Sequence, residues 1–319
     1  MEGDPWDGCV IDESSDIKPK TFDRSIRPSL SDRQGWCWRI GVPKRFGCGA
    51  AEYRDFYEKC AKGEYPQGAA FTWPASDILD PAECKHARET LDVKDYREQY
   101  DARWETAGGQ IFYSMDFDCN VRACNYDPTR PLVIGSDFNV DPMAWTISHV
   151  VSEYGECKQL ETFDELWLRD SNTNRALDVL WQRYGQHHQS TFEFYGDASS
   201  AARKTSASTT DYAQILNDKR FRDKGAVVRY PRTNPRVVER FACCNALLLN
   251  AAGERRWFID PRCINLLNDL RNRAYKEGSR EPDDFGDTGH ITDAAGYVVH
   301  KLFPIRVAVT TQPRIHITG

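Results

Sequence analysis

The stretch Leu132-Val133-Ile134-Gly135-Ser136-Asp137 decides the fold, because a short apolar run that ends in an acid is typical of a buried strand stopping at the edge of a sheet. Two more strand-like segments, 144–151 and 158–166, follow it directly, and the first of them is rich in β-branched residues. Three consecutive strands can form an antiparallel meander. We therefore predict that residues 132–166 build the first half of a sheet.

After the meander, helical and strand-like patterns alternate. Residues 172–186 carry an apolar stripe with helical spacing, and the strand-like run 191–196 is followed by another acid, Asp197. Strands that alternate with helices join a sheet in parallel through crossover connections. The predicted fold class is therefore α/β with a mixed central sheet. We expect the remaining elements to be strands at 226–230 and 256–260 and helices at 211–222, from Asn234-Pro235 onward, after Pro261 and from about Thr292 to Leu302.

The composition is that of a globular protein. The 319 residues are 40% hydrophobic and 28% charged, and this length is sufficient for about two domains. No apolar run approaches the roughly 20 residues that span a bilayer, and the acidic start, Met1–Asp4, lacks the apolar core of a secretory signal. The odd count of 11 cysteines, with no Cys-x-x-Cys pair, favours reduced thiols in a cytoplasm.

Charge is distributed unevenly along the chain. The formal net charge of −6 argues against a protein that binds nucleic acid through its overall charge. Residues 201–240 nevertheless contain ten Lys or Arg and only four Asp or Glu. A basic segment in an acidic chain is either a solvated face or a place for phosphate contacts.

Three aspartates follow strands or open a helix. Asp137 ends the first strand of the meander, Asp197 follows the strand after the first long helix, and Asp293 lies at the start of the last helix. Because the ends of neighbouring strands in an open α/β sheet meet in one crevice, we expect these carboxylates to converge. Converging carboxylates repel one another and require a cation, and their oxygens select Mg²⁺ or Mn²⁺. The alternative for each acid is a turn residue or a helix cap. Further candidates for the same site are Asp141 and Glu165.

Three motifs, Gly135–Met143, Tyr195–Ser200 and Thr292–Tyr297, together resemble the C-terminal nuclease domain of the large terminase subunit of tailed bacteriophages. The resemblance implies a ribonuclease H-like fold. It also implies a metal-dependent endonuclease that cuts concatemeric double-stranded viral DNA with two Mg²⁺ or Mn²⁺ ions. The catalytic residues and metal ligands implied by the resemblance are Asp137, Asp197 and Asp293.

The first part of the chain resembles the ATPase domain of the same family. Cys9–Glu13 is similar to a Walker B strand, in which Asp12 would hold Mg²⁺ through water and Glu13 would polarise the water that attacks ATP. Gly41–Gly47 is similar to the coupling motif of that domain, although Val42 stands where the motif usually has threonine.

A phosphate-binding loop of the form Gly-x-x-x-x-Gly-Lys-Ser/Thr does not occur in the sequence. The chain thus resembles a large terminase that begins shortly before its Walker B strand. We expect no ATPase activity from this chain alone, and a role for ATP only where the missing Walker A half is supplied.

The motifs and a change in composition near residues 107–131 predict the domain organisation. Residues 1–115 are assigned to the C-terminal part of an ATPase domain and 116–130 to a linker. Residues 131–312 are assigned to the ribonuclease H-like nuclease domain and 313–319 to a tail. The expected fold is therefore an α/β nuclease domain with a mixed central sheet, preceded by a partial P-loop ATPase-type α/β segment.

The remaining predictions concern binding and partners. His290 either assists proton transfer or caps the last helix, and the candidates for DNA phosphate contacts are Arg203, Lys204, Arg229 and Arg232. The resemblance implies double-stranded DNA, a small terminase subunit and a portal protein as partners, a homo-oligomer in the motor, no membrane, and the host cytoplasm during viral assembly. Two alternatives remain open: a junction-resolvase-like nuclease of the same fold, and a non-catalytic prophage remnant or interaction module of the packaging complex.

Overall fold

The computed structural model describes residues 4–105, 109–201, 209–276, 279–284 and 286–305. The chain divides into two compact units. The first unit is formed by Met1–Arg88 and Val93–Gly108, and the second by Glu89–Asp92 and Gly109–Gly319. The division into an ATPase part, a linker and a nuclease domain at residues 115 and 130 stays a prediction.

Strands and helices follow one another along the described ranges. The strands are β1 (Gly8–Ile11), β2 (Trp36–Arg39), β3 (Leu132–Asp137), β4 (Met143–Glu153), β5 (Glu156–Leu168), β6 (Phe192–Gly196), β7 (Val227–Arg229) and β8 (Trp257–Ile259). The α-helices are α1 (Arg27–Ser31), α2 (Ala50–Ala61), α3 (Pro81–Thr90), α4 (Val93–Gln99), α5 (Phe117–Asn120), α6 (Thr173–Leu180), α7 (Asp211–Asn217), α8 (Lys219–Asp223), α9 (Val237–Leu248), α10 (Ile264–Asn272) and α11 (His290–Leu302). Within the described ranges, none of these helices has the length and apolar character needed to cross a membrane.

The second unit is built on a six-stranded mixed sheet with the order β7-β6-β3-β4-β5-β8. Strands β3, β4 and β5 form the antiparallel meander, and β6 and β7 continue the sheet in parallel beyond β3. Strand β8 adds in parallel to β5. This topology confirms the predicted α/β class with a mixed central sheet and is that of a ribonuclease H-like fold.

Helices cover both faces of the sheet, which explains why β3 reads as a continuous apolar run. The side chains of Leu132 and Ile134 pack with α6, α7 and α8 on one face. The side chain of Val133 packs with α9, α10 and α11 on the other. All three are at most 4% exposed, so their burial fixes the register of the central strand.

Two glycines allow other backbone and side-chain groups to come close to the sheet. A Cβ atom on Gly135 of β3 would collide with the carbonyl oxygen of Ala294, so glycine lets α11 cross this strand closely. A Cβ atom on Gly196 of β6 would collide with the hydroxyl of Tyr212. Both glycines lie just before the aspartates at the end of their strands.

The first unit has a much smaller sheet. Strands β1 and β2 pair in parallel, with Gly8 opposite Trp36 and Ile11 opposite Arg39. Large apolar side chains of this pair are exposed: Val10 by 51%, Trp36 by 54% and Trp38 by 65%. A two-stranded sheet buries little apolar surface by itself.

Helix boundaries were predicted well where the capping residue had no competing partner. The helix expected at 172–186 begins at Thr173, where Asn172 caps α6, its side chain accepting a hydrogen bond from the backbone N–H of Arg175. The single helix expected at 211–222 is instead two helices, because Asp218 turns the chain and caps α8. The helix expected from Asn234-Pro235 begins later, at Val237.

Candidate active site

Two of the three predicted aspartates leave neighbouring strands at the same edge of the sheet. Strands β3 and β6 pair in parallel with Ser136 opposite Gly196, so Asp137 and Asp197 follow in adjacent positions. Parallel strands bring the residues after their carboxyl ends to one edge, and this is where ligands bind in open α/β sheets. The structure therefore supports the expected convergence of these two acids.

The first turn of α11 lies beside Asp137. His290 is the first residue of that helix, and its Nδ1 lies 2.9 Å from Asp137 Oδ2. The side-chain amide of Asn139 donates to the same oxygen at 3.1 Å and lies 2.8 Å from the imidazole Nδ1. The hydrogen bond to Asp137 raises the pKa of His290, although burial opposes the rise. The imidazole and the amide together orient Asp137.

Asp293, in the same first turn, is held by two buried arginines. Arg273 Nη1 donates to Asp293 Oδ1 at 2.9 Å, and Arg240 Nη1 lies 3.3 Å from the same oxygen. The side chains of the arginines are 1% and 5% exposed. Asp293 is thus fixed in place through one of its two oxygens.

Arg273 also secures the start of α11. Its Nη1 donates to the carbonyl oxygen of Gly289 at 3.2 Å and to the hydroxyl of Thr292 at 2.9 Å. Its Nη2 donates to Asp284 Oδ1 at 2.9 Å. The carboxylate of Asp269 accepts from the backbone N–H of Gly289 at 2.8 Å. This network positions the turn that carries Asp293.

Local donors orient Asp197. The hydroxyl of Ser199 donates to Oδ2, and the backbone N–H of Ser200 donates to Oδ1 at 3.1 Å. The hydroxyl of Tyr212 donates to the backbone carbonyl oxygen of Asp197 at 2.9 Å. The turn after β6 therefore holds the carboxylate close to the strand end.

The pKa of the Tyr297 phenol, one helical turn beyond Asp293, is affected by all three acids. Burial raises its pKa to about 12, the nearby Arg240 opposes the rise, and the carboxylates that add to it are those of Asp197, Asp293 and Asp137. The Arg240 guanidinium lies over the same ring, 4.4 Å from its centroid. All three acids therefore contribute to the electrostatic environment of one phenol, although they come from the ends of two strands and from a helix.

The donor types at this edge fit a hard divalent cation. Within the described ranges, Asp137 Oδ1 and Asp293 Oδ2 accept no hydrogen bond, so each carboxylate keeps an oxygen available. Carboxylate oxygens are the ligands that Mg²⁺ and Mn²⁺ prefer. Among the described residues, however, no three His, Cys, Asp or Glu side chains are already arranged as a metal site. A shared metal site of the three aspartates stays a prediction.

The two further candidates have other contacts. Glu165 accepts hydrogen bonds from the backbone N–H groups of Asn265 and Leu266 at 2.8 and 3.0 Å, so it caps the first turn of α10. Asp141 pairs with Arg169 at 3.1 Å on the surface. The cap explains why an acid occupies β5, and it removes Glu165 from the candidate ligands.

The predicted DNA contacts lie partly within the described residues. Arg229 ends β7, with a side chain that is 48% exposed and lies 3.4 Å from Glu193. Arg232 is exposed in the loop that follows β7. Arg203 and Lys204 lie outside the described residues.

The predicted Walker B acids lie in the first unit, after β1. Asp12 Oδ1 accepts from the backbone N–H of Glu13 at 2.9 Å. Glu13 has a left-handed backbone, with φ of 49°, and its carboxylate accepts from Lys44 Nζ at 2.7 Å. The same ammonium donates to Asp16 at 2.6 Å. The acid expected to polarise water is therefore paired with a cation.

Sequence reasoning missed the groups that hold the acids. Arg240 and Arg273 were not singled out, and neither was Asn139. One signal existed for Arg240, an arginine inside the otherwise apolar stripe of α9 that includes Phe241 and Cys244. Arg273 follows α10 directly and carries no local sign that its side chain is buried.

Comparisons with known proteins agree with this architecture. No protein-family model matches the chain. The large terminase subunit of Escherichia phage T5 is 22% identical over 329 residues, which covers 94% of this chain and 66% of that protein. The chain thus spans just under two thirds of the length of this relative.

Solved structures give the same result. The large terminase of a thermophilic bacteriophage, in complex with ADP, has a TM-score of 0.57 at 15% identity, covering 94% of this chain and 70% of that one. The complex of the same terminase with ATP-γ-S has a TM-score of 0.56 at 14% identity, covering 94% and 71%. The resemblance to the large terminase subunit of tailed bacteriophages is confirmed, and with it the fold.

Proposed function

We propose that this chain, which resembles phage large terminases in sequence and fold, is a Mg²⁺- or Mn²⁺-dependent DNA endonuclease of a viral genome-packaging terminase. It would cut concatemeric double-stranded DNA by two-metal phosphodiester hydrolysis. The observation that carries the proposal is the placement of Asp137 and Asp197 after paired positions of β3 and β6, with the first turn of α11, which contains Asp293, in contact with Asp137 through His290. Carboxylates gathered at one edge of a sheet suit a divalent cation.

Asp137, Asp197 and Asp293 would hold the ions. Bound divalent ions supply a water of lowered pKa and neutralise charge on the phosphate. The protein's own contribution is orientation. Arg240 and Arg273 hold Asp293 through its Oδ1 and leave its Oδ2 available. His290 and Asn139 fix Asp137 through one oxygen, and the turn after β6 fixes Asp197.

DNA would be held through its phosphates by basic side chains that follow Asp197 in the sequence. The proposed contacts are Arg203, Lys204, Arg229 and Arg232. Phosphate contacts of this kind position a duplex without reading its sequence, which suits an enzyme that acts on long concatemers.

The first unit would contribute the end of an ATPase domain, with Asp12 and Glu13 in their Walker B roles once a phosphate-binding loop is supplied. The small terminase subunit, the portal protein and further copies of the chain are the proposed partners, in the host cytoplasm. A junction-resolvase-like nuclease of the same fold would instead prefer four-way junctions to linear duplex. A non-catalytic remnant or interaction module would cut neither.

The test is cleavage of supercoiled plasmid by the purified chain with Mn²⁺, Mg²⁺ or EDTA. We expect metal-dependent nicking and linearisation that falls by orders of magnitude in Asp137→Asn, Asp197→Asn and Asp293→Asn. Asp223→Asn is the matched control, because this aspartate has a 57% exposed side chain on α8, and it should cleave like the wild type. Cleavage that survives Asp197→Asn unchanged would overturn the proposal.

A further inference from the structure

The loop that joins β7 to α9 is basic and exposed. Its sequence, Arg229-Tyr-Pro-Arg-Thr-Asn-Pro-Arg236, contains three arginines and no acid. We call Arg229–Arg236 the arginine loop. The side chain of Arg229 is 48% exposed and that of Arg236 is 72% exposed. Arg229 and Arg236 lie 3.4 and 3.7 Å from the carboxylates of Glu193 and Glu239. Because exposed ion pairs are weak, both arginines can exchange these partners for the phosphates of a nucleic acid.

Two contacts anchor the arginine loop to the candidate active site. Asn234 Oδ1 accepts a hydrogen bond from the backbone N–H of Ala198 at 2.6 Å, directly after Asp197. Tyr230 stacks on Tyr212 with ring centroids 4.6 Å apart and planes 12° from parallel. Tyr212 in turn donates to the Asp197 carbonyl oxygen at 2.9 Å. The loop is thus connected at both of these positions to the turn that carries Asp197.

Tyr230 offers a free aromatic surface at this place. One ring face is covered by Tyr212, yet the residue remains 46% exposed. It lies next to Arg229 and two residues before Arg232. An exposed aromatic ring between arginines combines a surface for base stacking with groups for the adjacent phosphates, as in proteins that bind single strands.

We infer that Tyr230 stacks on an unpaired base of the bound DNA, so that the preferred substrate is a duplex with a bulged, mismatched or frayed base beside the cleaved bond. The inference rests on the proposed function. A base within an intact duplex has both faces covered by its neighbours, so a stacking tyrosine needs a base that has left the stack. The arginine loop then holds the flanking phosphates, and the turn to which it is anchored carries Asp197.

The experiment measures binding in EDTA, so that it does not depend on cleavage. The probe is a duplex with one bulged 2-aminopurine, compared with the same duplex fully paired. We expect the wild type to quench the bulged base and to bind the bulged duplex about tenfold more tightly than the paired one. Tyr230→Phe should keep both effects because it keeps the ring, and Tyr230→Leu should lose both.

Tyr154→Leu is the matched control. This tyrosine is fully exposed in the turn between β4 and β5, at the opposite end of the sheet from Asp137, which pairs with Ala144. It should behave like the wild type. A second measurement needs no variant: 5-iodouracil at the bulge should photo-crosslink the wild type at Tyr230, as located by mass spectrometry.

The outcomes separate this inference from the proposed function. Equal binding of bulged and paired duplexes by the wild type, unchanged quenching in Tyr230→Leu, or crosslinks only elsewhere would overturn the inference alone. Failure of the wild type to bind either duplex would overturn the proposed function as well.

Discussion

Strands β3 and β1 share the same local sequence pattern at their carboxyl ends, but the structure around the two ends differs. Both strands are short, apolar and followed by acids, Asp137 in the second unit and Asp12 with Glu13 in the first. Strand β3 lies in a six-stranded sheet that helices cover on both faces. Strand β1 pairs only with β2 within the described residues, and both strands expose large apolar side chains.

The difference shows that the role available to an acid after a strand depends on the side chains that neighbouring elements bring next to it. At β3, a parallel neighbour supplies Asp197 and a crossing helix supplies Asp293, and two buried arginines hold that last carboxylate in place. At β1, the described neighbours supply a lysine, Lys44, which pairs with Glu13. The Glu13 carboxylate is therefore engaged in an ion pair within the first unit.

The largest expected effect comes from breaking the arginine network of the second unit. Arg273→Met removes the buried guanidinium that bonds to Gly289, Thr292 and Asp293, while Arg240 still pairs with Asp293, and it should lower the free energy of unfolding by about 2–4 kcal/mol. Hydrogen exchange of the α11 amides during urea denaturation measures this change. Arg271→Met is the matched control, since Arg271 is exposed on α10, where it stacks on Phe117 at 4.1 Å. Equal losses in both variants would contradict the role given to Arg273.

A second expected effect concerns acid stability of the second unit. His149 is fully buried, with Nδ1–H donating to the Pro131 carbonyl oxygen at 2.9 Å and Nε2 accepting from the backbone N–H of Asp127 at 3.0 Å. Burial lowers the pKa of His149 to about 4. As the pH falls, the imidazole of His149 becomes protonated in the unfolded chain before it does in the folded one. The contribution of His149 to the free energy of unfolding is therefore complete above pH about 6.5 and declines as the pH falls toward 4.

Thermal melts between pH 7 and pH 4 measure this decline. His149→Gln should melt with a shallower dependence on pH than the wild type, because it lacks the titrating group. His187→Gln, which removes an exposed histidine, should keep the wild-type dependence. Identical pH profiles for His149→Gln and the wild type would show that another group causes the acid sensitivity.

A small effect is expected in the first unit, where the ion pair is near the surface. Lys44 has a 29% exposed side chain, and those of Glu13 and Asp16 are 53% and 52% exposed. Exposed pairs contribute little, so Lys44→Met should change the free energy of unfolding by less than about 1 kcal/mol. If Lys44→Met lowered the free energy of unfolding as much as Arg273→Met, the proposed difference between the two regions would be wrong.

No effect at all is expected on ATP hydrolysis by this chain alone. Walker B acids act on phosphates that a glycine-rich loop already holds, and the sequence contains no such loop. Steady-state phosphate release should equal the background in the wild type, in Lys44→Met and in Glu13→Gln. A rate in the wild type that Glu13→Gln abolishes would refute this expectation.

Local patterns were sufficient to predict the sheet and two of its acids. The run before Asp137 and that before Asp197 each read as a buried strand that ends in an acid, and parallel pairing then fixes where those acids meet. Partners that are distant in sequence could not be read from such patterns. The helix expected from Asn234-Pro235 onward begins instead at Val237, and the Asn234 side chain bonds to Ala198, 36 residues away. Glu165 caps α10 from a strand 100 residues earlier.

The arginines that hold Asp293 illustrate the same limit. Burial of a charge depends on which oxygens surround it in three dimensions, and Arg273 finds acceptors on a loop and on the start of α11. Local sequence favours an exposed arginine at the end of a helix. The placement of Asp137 and Asp197 at one edge of the sheet was therefore predictable, whereas the groups that orient these candidate acids were not.

The measurement that tests the central claim most directly is the melting temperature of the chain with and without Mn²⁺. A ligand that binds only the native state stabilises it by RT ln(1 + [L]/Kd), about 2.7 kcal/mol at a hundredfold excess over Kd. If Asp137, Asp197 and Asp293 share a metal site, Mn²⁺ should raise the melting temperature of the wild type and of the control Asp223→Asn. The rise should be much smaller in Asp197→Asn. An equal rise in Asp197→Asn and the wild type, or no rise in the wild type, would contradict the account.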